Sequence, residues 1–381
     1  MENNYFLTNL KKDCNGCGVC SIVCPKKAIE MKIDDEGFMY PFINKEKCID
    51  CGLCKRSCPN FIREINDLTK TFICKNNDDM ILSRSSSGGV FYSIAKYIIE
   101  KNGVVFGVRY DKDLNVYHDY VESLDELHFF QGSKYVRSDA YKCFDKVLEF
   151  LKAGRFVLFS GTPCQCNSLK SLCKNYSQKL YTCEIICHAN PSPLVYDLYK
   201  KNLENIYNKK IVNIEFRSKK NGWKNQTPII YFDDDSYIED NSYFYAFVRE
   251  MINRPSCYNC NFCSSNRTSD FTIGDIWGLS KIDDSIVDDD SGLSLLCVNS
   301  EKGILLFEDI KESFNVYDVD KEKAFSYNHN SNLKFHKKRN KFFKLLSKNI
   351  INENNIIKYF NKYTKLSLIY RIKRLILTKI K

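Results

Sequence analysis

No apolar run in the 381 residues approaches the length of a bilayer span, so the chain is not expected to cross a membrane. Met1 to Asp13 lacks an apolar stretch followed by small residues, and no export signal is read there. Histidine is scarce, with five copies, and none falls in the first sixty residues, where cysteine is densest. That disfavours zinc sites of mixed ligation. Without an export signal, the nineteen cysteines imply a reducing compartment that keeps thiolates for metal, and the expected place is cytoplasmic. No nucleic-acid-binding module is recognisable, so no nucleic-acid partner is expected despite the formal charge of +10.

The charge is uneven. From Lys334 to Lys381 fifteen Lys/Arg stand against the single acid Glu353, which leaves about −4 for the rest by subtraction. In this tail Leu368, Ile369, Ile372, Leu375, Ile376 and Ile380 share one helical face, ringed by Arg371, Lys373, Arg374, Lys379 and Lys381. Such a basic amphipathic helix lies on a membrane surface, docks an acidic partner or packs on the body.

What the chain has in abundance is cysteine in order. Cys14-x2-Cys17-x2-Cys20-x3-Cys24-Pro25 is followed by Cys48-x2-Cys51-x2-Cys54-x3-Cys58-Pro59. This run is the ligand set of two [4Fe–4S] clusters, with the fourth cysteine of each run serving the other cluster. Cys14, Cys17, Cys20 and Cys58 are therefore expected on one cluster, and Cys48, Cys51, Cys54 and Cys24 on the second. Gly16, Gly18 and Gly52 are expected to keep Cβ atoms clear of the inorganic sulfides. Between the runs, residues 28–33 and 38–43 read as a hairpin, which ends a small unit near Ile62.

Residues 63–80 read as a connector. The pattern then alternates strand and helix, as in a mixed α/β domain. Val104–Val108, Phe156–Phe159 and Leu180–Ile186 read as strands, and Val90–Glu100, Ser138–Leu151 and Cys164–Lys174 as helices. The segment 156–186 makes a βαβ unit with a parallel pair. Asn190–Pro193 caps a helix to about Glu204, strands follow at 212–217, 229–232, 271–273 and 293–298, and Asp283–Asp290 reads as a solvated acidic loop. Two small-residue loops, Ser85–Gly89 and Ser160–Pro163, precede helices. Each either presents backbone N–H groups to a dinucleotide pyrophosphate or simply caps its helix. Cys257 and Cys260 favour metal, while Cys74, Cys143 and Cys297 favour packing. His188 reads as a proton donor or a structural residue. Trp223 and Trp277 either cover a ring or pack in a core.

Taken in order, these motifs resemble one family. They are Ser86-Ser87-Gly88-Gly89-Val90-Phe91, Gly132-Ser133-Lys134-Tyr135-Val136, Phe159-Ser160-Gly161-Thr162-Pro163-Cys164-Gln165 and Cys187-His188. Phe216-Arg217-Ser218-Lys219, Gly222-Trp223, Arg254 to Cys260 and Ser269 to Gly278 follow. The family is the coenzyme F420 hydrogenase/dehydrogenase beta subunit, in its bacterial branch with an N-terminal two-cluster ferredoxin domain. The resemblance implies a mixed α/β (α+β) fold: a ferredoxin-like unit over 1–62, a flavin-binding domain over 63–320 and a basic helical tail over 321–381.

It also implies an iron–sulfur flavoprotein oxidoreductase that passes electrons between clusters and FAD. By motif position, Ser87, Gly88, Gly89, Ser133, Lys134, Gly161, Thr162 and Gln165 become the flavin-contacting set. Lys134 is the candidate for stabilising negative charge on the flavin, or else a structural lysine. Cys164, Cys187, Cys257 and Cys260 become ligands of a third [4Fe–4S] cluster, and Cys166 and Cys263 fall outside the pattern. The implied partners are ferredoxin or another one-electron carrier, and coenzyme F420 or an organic substrate. For the bacterial branch that substrate is a small or lipid-linked intermediate of surface-polysaccharide synthesis, which would suit a peripheral place at the inner membrane face. A relay protein serving a separate catalytic chain, itself non-enzymatic, is the alternative.

Overall fold

The computed structural model describes residues 11–61, 68–225, 227–328 and 330–364. Near the amino terminus Ile29–Ile33 (β1) and Met39–Ile43 (β2) pair antiparallel, with Ile33 opposite Met39. The Asp34 carboxylate closes the turn by accepting the N–H groups of Glu36 and Phe38. Phe38 and Tyr40 are fully buried, but not in a core of their own. They join Val195, Tyr196, Tyr199, Phe244, Phe342 and Phe360 in one cluster. Arg339 forks onto Glu36 at 3.1 and 2.5 Å, and Ser192 donates to the Glu36 carbonyl. The small unit is thus welded to the body.

The body is built on eight strands. They are Lys70–Asn76 (β3), Val104–Tyr110 (β4), Val116–Val121 (β5), Val157–Gly161 (β6) and Leu180–Ile185 (β7), with three later ones. Ile211–Glu215 (β8), Ile229–Phe232 (β9) and Tyr237–Glu239 (β10) form a separate three-stranded sheet. The large sheet is completed by Phe271–Asp275 (β11), Ser294–Val298 (β12) and Phe314–Asp318 (β13), in the order β13-β3-β12-β11-β7-β6-β4-β5. Its centre, β11-β7-β6-β4, is parallel, and both margins are antiparallel. The central strands β4 and β6 are apolar over Val104–Val108 and Val157–Phe159 because both faces are covered. Val105 and Leu158 face one core, with Ile94 and Leu306, while Val104, Phe106, Val157 and Phe159 face another, with Phe144 and Leu169.

The expected βαβ unit is present, as β6, the helix Pro163–Leu172 and β7. The expected connector is not. Within it, β3 lies between β12 and β13, with Phe72, Ile73 and Cys74 buried. The acidic loop is not simply solvated either: Asp288 pairs with Lys224, Asp289 with Lys75, and Asp290 accepts the Lys224 N–H. Towards the carboxyl terminus, the helices Arg339–Ser347 and Ile356–Thr364 bury Phe342, Phe343, Ile356 and Phe360 in the first core. The basic amphipathic stretch from Leu368 to Lys381 lies outside the described residues. Among the described residues no helix is long and apolar enough to cross a membrane.

Candidate functional site

Each N-terminal cysteine run wraps a short helix that a left-handed glycine introduces. Gly18 (φ +75°) leads into Val19–Ile22, and Gly52 (φ +68°) into Leu53–Arg56. Burial pushes the Cys17 thiol up to about 12, with Cys58 and Cys14 adding to it against a hydrogen bond from Ser168. Cys20 is raised by burial and then by Cys17, Cys14 and Cys58. Cys54 is raised by burial, with Cys24 and Cys51 adding to it. Cys58 is thus within electrostatic reach of Cys14, Cys17 and Cys20, and Cys24 and Cys51 within reach of Cys54, while Cys54 also reaches Cys20 and Cys58. Cys48 sits on the rim of the second set, 3.6 Å from an Asp50 carboxylate oxygen.

The donor chemistry fits iron–sulfur clusters. Backbone N–H groups already point at sulfur, from Gly16 to Cys14 at 3.4 Å and from Ala28 to Cys24 at 3.3 Å, the kind of bond that tunes such clusters. Packing gives two of the glycines a reason of their own. A Cβ on Gly16 would stand 2.7 Å from the Met39 carbonyl oxygen and 2.9 Å from Arg254 Nη1, and one on Gly18 would strike the Tyr141 ring. Gly16 and Gly18 thus make room for the body of the protein, whereas a Cβ on Gly52 would meet only Arg56 of its own helix, at 3.1 Å.

Cys164, Cys187, Cys257 and Cys260, joined by Cys263, all line a second place, a cavity of about 260 Å³ with Asn15, Asn60 and Phe61 of the N-terminal unit on its wall. Burial raises the Cys187 thiol strongly, and Cys257, Cys164 and Cys260 add to it. Burial likewise lifts Cys257 to about 12, with Cys260 and Cys164 adding to it against an N–H from Asn190 at 3.3 Å. Phe262 N–H points at Cys260 Sγ at 3.4 Å. These thiols come from three places: the helix after β6, the end of β7, and the turn Pro255–Asn259. Cys166 is fully buried on the other side of its helix, in the core under β6.

A third place opens at the carboxyl ends of the parallel strands, where open α/β sheets hold their ligands. This cavity, also about 260 Å³, is lined by Ser87, Gly89, Ser133, Lys134, Gly161, Thr162 and Gln165. Two helices aim their positive N-termini at it, Val90–Glu100 behind Gly89 and Pro163–Leu172 behind Thr162. Ser133 N–H and Oγ both donate to Ser86 Oγ, at 2.7 and 2.9 Å, which ties the two loops together. Gly88 is the exception among the expected contacts. It packs behind the cavity, where a Cβ would come 2.2 Å from the Cys74 carbonyl oxygen.

Residues 154–322 match the family model for the carboxyl-terminal region of the coenzyme F420 hydrogenase/dehydrogenase beta subunit, and residues 13–62 match that of a 4Fe-4S dicluster domain. The chain thus carries a domain of this beta-subunit type behind a dicluster domain. Over 180 residues it is 27% identical to one subunit of the F(420)H(2) dehydrogenase of Methanosarcina mazei. That match covers 44% of this chain and 50% of the relative, so the chain spans about half the length of the curated relative it matches. Among solved structures, a chain of the F420-reducing [NiFe] hydrogenase complex from Methanosarcina barkeri is similar at TM-score 0.48 and 13% identity, over 78% of this chain and 94% of that one.

The strand-end cavity holds one cation that the motifs did not single out as a contact, Arg217. It pairs with Asp275 at 2.6 Å and holds its charge firmly, since Tyr135 and Asp275 outweigh the cost of burial. Arginines and lysines near such a loop look alike in sequence, and only the pairing with Asp275 on β11 separates this one. Lys134 spends two N–H bonds on the Phe129 and Gln131 carbonyls, at 2.9 and 2.8 Å. Burial, with Arg109 adding to it, pulls it down to about 7. Trp223 and Trp277 stack on one another at 5.2 Å, and Trp223 Nε1 donates to Asp275. His188 stands at the cysteine cavity, 3.9 Å from Glu250, whose carboxyl burial raises to about 7.

Proposed function

We propose that the chain is an iron–sulfur oxidoreductase subunit that joins a one-electron carrier to FAD held in the strand-end cavity. The observation that carries this is a row of sites in contact. The Cys14 group adjoins Arg254, Arg254 adjoins Cys257 of the cysteine-lined cavity, and Asn190 lines both that cavity and the strand-end one. Bound there, clusters supply one-electron transfer and a flavin supplies two-electron hydride chemistry.

The chain's own residues have separable tasks. Cys14, Cys17, Cys20 and Cys58 hold the inner N-terminal cluster, Cys24, Cys48, Cys51 and Cys54 the outer one, and Cys164, Cys187, Cys257 and Cys260 the third. The helix ends behind Gly89 and Thr162 bind the pyrophosphate, and Arg217 fixes the opposite wall by its bond to Asp275. Lys134 anchors the loop that presents Ser133. The buried Phe38 and Tyr40 keep water from the side of the path next to Arg254.

Cys51 is exposed, and in the segments that carry Cys24, Cys48, Cys51 and Cys54 exposed Lys26, Lys27, Lys45, Lys47, Lys55 and Arg56 outnumber exposed Glu46 and Asp50. That rim supports an acidic protein such as ferredoxin as the one-electron partner. The family model and the Methanosarcina mazei relative both carry the name of F420, and this supports a deazaflavin as the two-electron partner. The relative is by name one part of a larger dehydrogenase, which supports assembly with other chains.

Anaerobic reconstitution with iron, sulfide and FAD tests the reading. About twelve irons and one FAD per chain are expected, from four irons per cluster. Reduced deazaflavin should then bleach the iron–sulfur absorbance, and more slowly when FAD is left out. A protein that stays colourless after reconstitution would overturn the proposal.

A further inference from the structure

Among the described residues five arginine side chains are almost wholly enclosed by protein, and three of them face a carboxylate at hydrogen-bonding range. Arg217 pairs with Asp275, Arg267 with Glu184, and Arg339 with Glu36. Arg254 has no exposed surface at all, and among the described residues no carboxylate reaches it at ion-pairing distance. A guanidinium taken out of water is costly unless an opposite charge stands against it. The bonds it does make go to neutral carbonyls, from Nε to Cys14 O at 2.9 Å and from Nη2 to Met39 O at 2.8 Å. Nη2 is also 4.0 Å from Cys14 Sγ, and Nη1 meets no acceptor among the described residues.

Its position explains the exception. Cys14 belongs to the inner N-terminal group, and Cys257, three residues further along in the same turn, belongs to the third. Cys257 N–H donates to the Arg254 carbonyl at 3.0 Å. The acidic groups acting on Arg254 after burial are Tyr40, Cys14, Cys257 and then, more weakly, Asp34. The chain has also kept space for it, because Gly16 would crowd Nη1 with any Cβ. Arg137 flanks the same loop from the other side. It is 5% exposed, donates from Nη2 to the Gly16 carbonyl at 2.8 Å, and has an Nη1 without an acceptor among the described residues. It is the largest charge felt by Cys164.

We propose that Arg254 is the counter-charge shared by the inner N-terminal cluster and the third cluster, setting both reduction potentials and allowing both to be reduced together. The inference rests on the three-cluster reading above. A cubane held by four thiolates is an anion, and each electron added makes it more so. One buried cation between two such anions stabilises the reduced form of each and offsets their mutual repulsion. Arg254 is a positioning residue in this sense, since it touches ligands and backbone rather than the electron's destination. Arg137 does the same for the third cluster from its far side.

The test is a potentiometric titration of the reconstituted protein followed by electron paramagnetic resonance, in wild type, Arg254→Gln and Arg254→Lys. The third cluster's signal is the one missing from Cys257→Ser. In R254Q the equilibrium constant for reduction should fall about tenfold at both clusters, which is ~59 mV more negative for one electron, with the outer cluster unmoved. R254K should recover part of each shift. Full iron with both potentials unchanged overturns the proposal, and so does a shift at one cluster alone, because the charge would then not be shared. If R254Q fails to take up iron, Arg137→Gln carries the test: a third-cluster potential that stays at the wild-type value overturns it. A wild-type protein with about eight irons instead sinks the three-cluster reading itself, a result told apart by the iron count before any titration.

Discussion

Thr162 Oγ1 lies 3.2 Å from Cys164 Sγ, although the two side chains line different cavities. Two residues of one turn thus serve both the cysteine-lined cavity and the strand-end one. The turn is rigid for a local reason: Pro163 starts the helix, and Gln165 reaches back so that its Oε1 accepts the Thr162 N–H at 2.9 Å. An electron passing between the two places would cross one side-chain contact rather than a layer of solvent.

Gln165 is 3% exposed, and its Nε2 also donates to the Ser138 carbonyl at 2.9 Å. Gln165→Leu leaves both backbone groups without a partner, at a cost of about 2 kcal/mol. The expected outcome is a lower melting temperature and a clear loss of bound FAD, with iron content near the wild-type value. Flavin content that does not change would take the strand-end cavity out of the flavin reading.

Gly88 and Gly132 predict opposite outcomes for the same change. A Cβ on Gly88 meets backbone, 2.2 Å from Cys74 O and 2.7 Å from Ser294 N, so β3 and β12 must separate to admit it. A Cβ on Gly132 meets nothing within 4 Å, and only its φ of +78° resists the change, at about 1–2 kcal/mol. Gly88→Ala should leave little folded protein in the soluble fraction, while Gly132→Ala should fold with a modestly lower melting temperature. Denaturation of the two side by side checks this.

The elements that sequence makes legible are those whose partners are close in the chain. The unit from Phe156 to Ile186 is readable because β6, its helix and β7 are consecutive and pair in parallel. By contrast β3 shows only Thr71 to Cys74 as an apolar run between lysines, and it pairs with β12 and β13 more than two hundred residues away. Nothing within its own window separates it from a linker. The helices Arg339–Ser347 and Ile356–Thr364 are hidden by charge, since their lysines stand around a buried stripe of Phe342, Phe343 and Phe360. In the cavities, loops rich in serine and glycine announce themselves, whereas Arg217 does not: its value comes from Asp275, fifty-eight positions later.

Lys134 gives a pH dependence of definite sign. Its ordinary value is 10.5, and in the folded protein burial, then Arg109, brings it to about 7. Between these values the unfolded chain holds a proton that the folded chain has released, so stability rises as pH climbs through that window. The penalty is fully present below about pH 7 and gone above about 10.5. Lys134→Met should therefore stabilise the flavin-free protein more at pH 6 than at pH 10, and flatten its curve of stability against pH. Parallel curves for the two proteins would refute the assignment.

The crossing of ligands between the two N-terminal runs can be tested by which cluster a substitution removes. Cys58 lies within reach of Cys14 and Cys17, in the group beside Arg254, while Cys24 lies with Cys51 and Cys54 under the exposed basic rim. Cys58→Ser should cost about four irons and silence the cluster that couples magnetically to the third one, because those two are neighbours. Cys24→Ser should also cost about four irons but leave that coupling intact, and should slow reduction by an acidic protein donor instead. If each substitution emptied the cluster of its own run, with C24S abolishing the coupling and C58S sparing it, the clusters would be bound without crossing, and the grouping of Cys58 with Cys14 would reflect proximity alone.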